Sequence, residues 1–287
     1  MTTIALGLTA ACGYSLYNLF SQRLLRSVSW MTITLAMFAT GIVLLGVPAL
    51  IVDGLPGRAE LGDLGLAAVG GLLYTAATGA FLLALRVGKL SLVVVLACLD
   101  GAFAATISIA AGETLSAPAV VGLVLAAGGG LLAAVERDRE GASGGERRRW
   151  RFAAGAGLAL VTAVAMAVVF VAYGAIDAFS PLTTVTMASV AGLAVMVPLA
   201  AAGRVLLPPR ERAADVIGVS VLDMLAFLAA SAALAVGPVS VASVLLAQTA
   251  TVSAVLGLLL LRERPAWWQT AGVLATIAGV SILAWVM

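Results

Sequence analysis

Two acidic residues lie inside apolar stretches of the sequence, where a carboxyl group is costly. Asp100 lies nine residues after Ser91 and thirteen before Glu113, which on a helix places it roughly 13 and 20 Å from those residues. Asp223 has a similar depth in its own stretch, and no Lys or Arg lies at a matching depth to pair with either carboxyl. A charged side chain at the centre of a bilayer costs at least about 2.5–3.5 kcal/mol. We therefore expect both acids to face a cavity or each other.

A carboxyl group at this depth offers two kinds of transport chemistry. Cycling between the protonated and ionised forms is what proton-coupled exchange requires, and an ionised carboxylate holds a substrate ammonium group. We predict that Asp100 is the main proton or ammonium site and that Asp223 is the secondary one. The alternative is a protonated Asp that makes a structural hydrogen bond to a neighbouring helix and takes no part in transport.

Further polar and aromatic side chains recur at helical spacing and predict the faces of a binding pocket. Tyr14 and Asn18 lie one turn apart in the first apolar stretch, and Gln248 and Thr251 share a face near the C-terminus. The same spacing also suits helix–helix hydrogen bonds and packing, so both interpretations stay open. The side chains that we predict to orient a substrate are Tyr14, Asn18, Tyr74, Tyr173 and Gln248.

The residue types present exclude several kinds of site. The chain has no His, and its two cysteines, Cys12 and Cys98, lie in separate apolar stretches, so we predict neither a metal site nor a disulfide. No P-loop motif is present, and the glycine run at 128–130 is interpreted as a helix-packing surface rather than a nucleotide loop. We expect no cofactor and no enzymatic activity, because the two deep acids are isolated from one another in the sequence.

The composition places these residues in a membrane. Hydrophobic residues make up 62% of the chain and charged residues 10%, whereas soluble domains average about 25% charged. A helix that spans a bilayer needs about 20 mostly apolar residues, and ten stretches meet this requirement. Turn residues separate them, and all five Trp lie at or near their ends, where indole rings favour the headgroup level. The predicted spans are residues 3–22, 29–52, 61–85, 90–111, 116–135, 152–176, 181–203, 215–236, 239–261 and 266–287.

The sequence also repeats itself at a nearly constant offset. Residues 84–134 recur as residues 233–284, first at an offset of 149 and, after one inserted residue, at 150. The first parts of the two halves match more weakly but keep the offset, as in Pro48 and Pro198. We therefore predict two five-helix membrane repeats at residues 1–135 and 152–287, joined by a charged cytoplasmic linker at residues 136–151.

The basic residues indicate an orientation. Of the 16 Lys and Arg residues, all except Arg58 fall in the odd-numbered connections between the predicted spans. By the positive-inside rule these connections are cytoplasmic and both termini are outside. The Arg-rich linker is interpreted as a solvated loop that sets this topology, with a binding patch for anionic lipid or nucleic acid as the alternative.

The number of spans in each half decides how the halves are related. Because five is odd, the second repeat enters the membrane from the side opposite to the first. The predicted fold class is therefore an all-α membrane protein with ten transmembrane helices in two five-helix inverted repeats. Glu113 and Glu263 are equivalent in the repeat and are predicted to cap helix ends at opposite membrane faces. Inverted repeats are a common plan of secondary transporters, whose halves expose a central site alternately.

Two short signatures at equivalent positions resemble those of a known family. Gly112-Glu113 follows the fourth predicted span, and Arg262-Glu263-Arg264 follows the ninth. Together with ten spans in two halves, this pattern resembles the drug/metabolite transporter superfamily, EamA type. The resemblance covers the whole chain. It implies a secondary exporter of small metabolites, often amino acids, with a central cavity lined by helices of both halves.

The chain departs from this family in two respects. Thirteen residues before the signature Glu the family often has a proline, whereas this chain has Asp100 in the first half and Ala250 in the second. An acid at this position indicates a different coupling or substrate preference. Family members are also commonly drawn with cytoplasmic termini, whereas the Arg distribution of this chain predicts the reverse.

The predicted function is the export of small zwitterionic or cationic metabolites by alternating access, coupled to protons. The alternative is a flippase of the same fold that moves lipid-linked or amphiphilic molecules. An assembly or sensor protein is disfavoured by the short connections. We expect a multi-pass protein of a bacterial inner membrane. Its expected partners are a small-molecule substrate and the lipid bilayer, without nucleic acid, and its expected assembly is a monomer.

Overall fold

The computed structural model describes residues 1–54, 57, 60–87, 90–134, 146–203, 208, 210–261 and 267–286. Within these residues the chain forms twelve helices and no strand. The helices are α1 (Thr2–Leu24), α2 (Trp30–Val52), α3 (Leu61–Val87), α4 (Leu90–Ala97), α5 (Leu99–Ala110), α6 (Ala117–Ala134), α7 (Glu146–Gly174), α8 (Pro181–Ala202), α9 (Arg210–Val236), α10 (Val239–Ala247), α11 (Thr249–Leu261) and α12 (Trp267–Val286).

Local sequence signals explain where several helices begin and end. Ser29 precedes α2, and its side chain accepts a hydrogen bond from the Met31 N–H at 3.3 Å, which satisfies a free donor of the first turn. Pro181 begins α8, where its fixed φ suits the first helical position. Gly54 and Gly112 follow α2 and α5 with φ of +73° and +107°, a region that glycine enters without a Cβ clash.

Helices occupy each of the ten predicted stretches. Six segments among the described residues are long and apolar enough to cross a bilayer by length and composition. This criterion identifies six spans and not ten, so the arrangement of ten spans stays a prediction. The boundaries agree closely except at the starts of α7 and α9, which begin at Glu146 and Arg210 although the spans are predicted to begin at 152 and 215. The six segments are Trp30–Val52, Leu61–Val87, Val93–Ala110, Ala154–Gly174, Pro181–Ala202 and Arg210–Val236.

Two of the predicted spans are not single continuous helices. Residues 90–111 form α4 and α5, which are separated at Cys98, and residues 239–261 form α10 and α11, which are separated at Gln248. Each interruption is one residue long, and Val93–Ala110 still forms one segment that is long and apolar enough to cross a bilayer. The two breaks are 150 residues apart, which is the offset of the sequence repeat, so the halves share the irregularity.

Side chains next to the breaks explain why neither needs Gly or Pro at the broken position. Asp100 Oδ1 accepts a hydrogen bond from the N–H of Gly101 at 2.6 Å. In the second half, Thr249 Oγ1 donates to the carbonyl of Leu246 at 2.7 Å. Short polar side chains that bond the local backbone compete with regular helix geometry, and here they do so within two residues of each break.

The two halves interleave. α3 packs on α7 and α1 packs on α9, and exchanging the equivalent helices of the two halves converts one pair into the other. α2 packs on α8, and α6 packs on α12 in a second apolar cluster that also includes residues of α1, α5 and α10. Glycine permits the closest approaches: a Cβ on Gly71 would lie 2.5 Å from Ala188 Cα, and one on Gly129 would lie 2.6 Å from Thr276 N.

Two predicted features lie outside the described residues. One is the second signature, Arg262-Glu263-Arg264, and the other is most of the predicted linker, its residues 136–145. The last residues of the predicted linker, from Glu146, already belong to α7.

Candidate functional site

A cavity of about 90 Å³ lies between the two halves, beside both helix breaks. It is lined by α1, α3 and α7, by Asp223 of α9, and by residues on either side of Cys98 and Gln248. Of the predicted site residues, the cavity brings together Tyr14, Asn18, Tyr74, Asp100 and Asp223.

The carboxyl group of Asp223 is deeply buried and bonded across the two halves. Its Oδ2 accepts a hydrogen bond from the Tyr74 hydroxyl at 2.9 Å, and the residue is 1% exposed. Tyr74 and Asp223 are 149 residues apart and lie thirteen residues before the ends of α3 and α9. The pair therefore joins two positions that the repeat makes equivalent.

Asp100 reaches the cavity from the first turn of α5, two residues after the break. One of its carboxyl oxygens is used locally, by the Gly101 N–H. Among the described residues, neither Asp100 nor Asp223 has a Lys or Arg partner. The cavity is therefore a buried site with two acids and no compensating base in its described lining.

Aromatic side chains pack around Tyr74, which lines the cavity. The ring of Tyr74 stacks on Phe227, with centroids 4.0 Å apart and planes 4° apart. Phe38 meets Tyr74 edge to face at 6.1 Å, and Tyr173 lies 5.7 Å from Phe227. We call Phe38, Tyr74, Tyr173 and Phe227 the aromatic layer. Tyr173 lies in this layer, packed against Gly70, rather than on the cavity wall, so its contact with a substrate stays a prediction.

Gln248 lies at the second helix break and faces away from the main cavity. Its Nε2 donates to the carbonyls of Ala126 and Val244, each at 3.1 Å. Its Oε1 accepts from Thr251 Oγ1 at 3.0 Å. These bonds tie α6 to the break beside a second, much smaller cavity of about 10 Å³. The predicted role of Gln248 in orienting substrate is untested, whereas its neighbour Thr249 does line the main cavity.

Several lining residues were not singled out from the sequence. Phe81 lies two turns beyond Tyr74, so extending the face of α3 by one turn would have found it. Thr162 lies one turn before Met166 on α7, and its Oγ1 donates to the carbonyl of Ala77 at 3.2 Å. Cys98 and Thr249 line the cavity because the helices break beside them, and no residue type announces those breaks.

At one end of the bundle, carboxylates of the first half accept hydrogen bonds from the second half. Asp53 Oδ2 accepts from the N–H and hydroxyl of Ser180 at 3.0 and 2.6 Å. Asp63 Oδ2 accepts from the N–H groups of Asp177 and Ala178 at 3.1 and 2.8 Å. We call these contacts, together with the one described next, the carboxylate bridges, and this end the bridged end.

The third bridge has Glu113 capping a helix end, as expected, and that end is the start of α10. Its carboxylate accepts from the N–H of Ser240 at 3.2 Å and from the Ser240 hydroxyl, in the first turn of α10. An acid suits this position, because the first turn of a helix leaves N–H groups free and carries partial positive charge. The bridge therefore links the end of α5 to the start of α10.

The bridge at Asp53 alters the ionisation of that residue. Partial desolvation favours the neutral form, but the hydrogen bonds donated by Ser180 outweigh it and hold the pKa of Asp53 below its usual range. The Asp53 bridge is therefore made by an ionised carboxylate at neutral pH.

The opposite end of the bundle carries the basic residues. α1 ends near Arg23, α3 ends near Arg86, and α9 begins with Arg210, at the ends remote from the carboxylate bridges. We call this the arginine-rich end. The cavity extends towards it along α1, from Tyr14 to Asn18, and along α3, from Tyr74 to Phe81.

The broken helices pack differently towards the two ends. Towards the bridged end, α5 and α10 are in close contact: Ser243 Oγ donates to the Gly101 carbonyl at 3.2 Å. A Cβ on Gly101 would lie 2.5 Å from the Ser243 carbonyl oxygen, so only glycine permits this approach. Towards the arginine-rich end, α4 and α11 make only sparse contacts within the described residues. The arrangement is a central site that is closed towards the bridged end.

Comparison with known proteins agrees with this architecture. The model of the EamA-like transporter family matches residues 1–135 and 153–285, one match in each half. One solved structure, titled "Crystal structure of protein", is similar to this chain with a TM-score of 0.71 over 98% of each chain. At 16% identity this likeness shows the fold alone. A search of curated proteins found no match.

Proposed function

Because the chain belongs to the EamA-like transporter family, whose members are membrane transporters of small molecules and not enzymes, we propose that it is a proton-coupled secondary transporter. Its proposed substrates are small zwitterionic or cationic metabolites, moved by alternating access. The observation that carries this proposal is the cavity between the halves, which holds Asp100 and Asp223 without a basic partner in its described lining.

Three observations support ten spans in two inverted repeats. The family matches each half separately, over 1–135 and 153–285. The helix breaks at Cys98 and Gln248 occupy equivalent positions, as discontinuous helices do in many carriers with inverted repeats. Finally, the equivalent residues Tyr74 and Asp223 meet at the cavity, which is expected where a pseudo-two-fold axis passes through the binding site.

The coupling mechanism follows from two acids in one small cavity. In the proposed cycle an ionised Asp100 holds a substrate ammonium group, and a proton replaces that group when the substrate leaves. Asp223 is the secondary acid, and its bond to Tyr74 links the charge of the cavity to α3. Tyr14 and Asn18 contribute a hydroxyl and an amide to the same wall, so both are placed to orient the substrate.

The charge distribution supports an export direction. The arginine-rich end is proposed to be cytoplasmic in a bacterial inner membrane, which leaves both termini outside. A cavity that extends towards this end and is closed towards the bridged end is then ready to load substrate from the cytoplasm. Since one chain supplies the whole described lining, the proposed transport unit is the monomer.

The test is proton movement in proteoliposomes with an internal pH dye. Amino acids and organic amines are added one at a time to wild type, Asp100→Asn and Asp215→Asn. Asp215 is the matched control, because it lies at the arginine-rich end with a side chain 53% exposed. We expect a substrate-dependent pH change in wild type and in Asp215→Asn that is lost in Asp100→Asn. A signal that persists unchanged in Asp100→Asn contradicts the proposed coupling site.

A flippase for amphiphilic or lipid-linked molecules is the second candidate function. The observation in its favour is the sparse contact between the described residues of α4 and α11, since a lateral opening between helices would admit a molecule from the bilayer. The assay is movement of a fluorescent lipid analogue between leaflets in the same vesicles. Lipid movement without any soluble substrate would favour this function over the first.

A further inference from the structure

The charges of the cavity narrow the kind of substrate that it takes. Resting on the proposed function, we propose that the cavity selects organic amines that lack a carboxylate, in preference to zwitterionic amino acids. The feature that carries this inference is a cavity with two acids and no base in its described lining, where one of the two adjacent half-helix N-termini, that of α5, already holds one of those acids.

The described lining of the cavity offers no basic side chain to a substrate carboxylate. An amino acid brings its carboxylate one carbon away from its ammonium group, so both must be satisfied in the same place. Among the described lining residues there is no Lys or Arg. The nearest basic residues along α1 and α3 are Arg23 and Arg86, nine residues after Tyr14 and twelve after Tyr74. On a helix these separations are roughly 13 and 18 Å, too long for contact with a carboxylate held beside Asp223.

The N-terminus of a half-helix is the other usual partner of a substrate carboxylate. Discontinuous helices commonly hold such groups at the free N–H groups of a half-helix. At the start of α5, however, Asp100 lies in the first turn, and its Oδ1 takes the Gly101 N–H at 2.6 Å. The chain thus places its own carboxylate where a substrate carboxylate would bind. A second negative group there would be repelled.

The remaining lining of the cavity includes aromatic rings that favour a cation with an apolar body. The rings of Tyr14, Tyr17, Phe81 and Phe170 line the cavity. Aromatic rings attract a cation through their faces and also contact an apolar substituent. The hydroxyl of Tyr14 lines the cavity, so its oxygen is placed to accept a hydrogen bond from an ammonium N–H. Each of these groups suits a small amine with an apolar body.

The experiment compares matched ligands on the purified wild-type protein. Binding is measured by calorimetry in nanodiscs for phenethylamine and phenylalanine, for isoamylamine and leucine, and for phenylalanine methyl ester, which keeps the amino acid skeleton without the charge. We expect the amines and the ester to bind at least tenfold more tightly than the amino acids. Phenylpropionate, a carboxylate without an amine, is expected not to bind. Equal or tighter binding of the amino acids, or no binding of any amine, overturns the inference.

Variants and transport separate this inference from the proposed function. Asp100→Asn and Asp223→Asn are expected to reduce amine affinity at least tenfold, while Asp215→Asn leaves it unchanged. Counterflow of labelled compounds in proteoliposomes then reports transport. Transport of amino acids but not of amines would overturn the amine selectivity and leave the proposed function intact. Selective amine binding without transport of any compound would uphold the selectivity and contradict the proposed function.

Discussion

The two ends of the helical bundle are built from similar backbone and different side chains. At the bridged end, Asp53, Asp63 and Glu113 of the first half accept hydrogen bonds from the second half. The repeat pairs Asp53 with Gly203 and Asp63 with Arg212, so two of the three acids have no acidic counterpart at the arginine-rich end. The two halves share the order of their helices, whereas the side chains at the two ends differ.

This difference indicates how a repeated fold acquires a preferred state. In an inverted repeat, exchanging the conformations of the halves converts a carrier that is open at one end into one that is open at the other. If the side chains were also symmetric, the two states would have equal energies. Three carboxylate bridges at one end favour closure of that end, and a hydrogen bond to a charged group contributes about 1.5–3 kcal/mol when buried and less when exposed.

Locking the bridged end should have the largest effect. We expect Asp53→Cys with Ser180→Cys, joined by a short thiol cross-linker in a background without Cys12 and Cys98, to abolish transport until the link is cleaved. The reason is that alternating access requires this end to separate. The control is Arg212→Cys with Asp215→Cys, an i,i+3 pair within α9 whose cross-link joins no second helix. Full transport by the cross-linked bridged end would show that it does not open during the cycle.

Preventing the same end from closing is the converse change. A Cβ at Gly101 would lie 2.5 Å from the Ser243 carbonyl oxygen and 2.6 Å from Ala247 Cβ, so Gly101→Ala should force α5 and α10 apart. We expect Cys98 to become reactive to a membrane-impermeant maleimide added at the bridged side, with Cys12 replaced by Ala. Gly128→Ala is the matched control, since a Cβ there meets nothing within 4 Å. Unchanged labelling of Cys98 in Gly101→Ala would contradict a closed contact at this place.

The sequence predicted the positions of the helices better than the contacts between them. The apolar stretches and the repeat gave helices in the right places, because span length and hydrophobicity are local properties. The breaks at Cys98 and Gln248 were missed because they depend on side-chain bonds to the backbone rather than on Gly or Pro. The carboxylate bridges were missed because Asp53 and Ser180 lie 127 residues apart, and no local pattern pairs them.

The sequence predicted the two acids of the candidate site but not the contacts of every residue expected beside them. Burial cost singled out Asp100 and Asp223 from single positions, and both line the cavity. Helical spacing gave the face on which Tyr173 and Gln248 lie but not the element that the face contacts. The ring of Tyr173 packs on Gly70, and the amide of Gln248 bonds Ala126, contacts that only the tertiary packing decides.

A milder change at the third bridge should shift the equilibrium between the two states. Glu113→Gln keeps the shape of the side chain but removes its negative charge, to which the N–H and hydroxyl of Ser240 donate hydrogen bonds. We expect a loss of about 1–2 kcal/mol at this half-buried contact, or roughly a 5–30-fold shift in the rate of Cys98 labelling from the bridged side. Glu263→Gln, at the position that the repeat pairs with Glu113, should shift labelling from that side in the opposite direction. Shifts of the same sign in both variants would contradict the inverted relation of the halves.

The smallest expected effect is the pH dependence of the exposed bridge at Asp53. Its pKa is held below the usual Asp value of about 3.9, so folding is stabilised by this group when the pH is above that value. The stabilisation is lost as the pH falls through the lowered pKa, because protonation removes the negative charge of the Asp53 carboxylate to which Ser180 donates hydrogen bonds. Since the contact is exposed, we expect Asp53→Asn to cost less than about 1 kcal/mol at pH 7. Melting temperatures of wild type and Asp53→Asn should therefore differ at pH 7 and converge below about pH 4. A difference that stayed constant over this range would mean that the bridge acts through its shape rather than its charge, and the asymmetry of the two ends would then rest on Glu113 and Asp63.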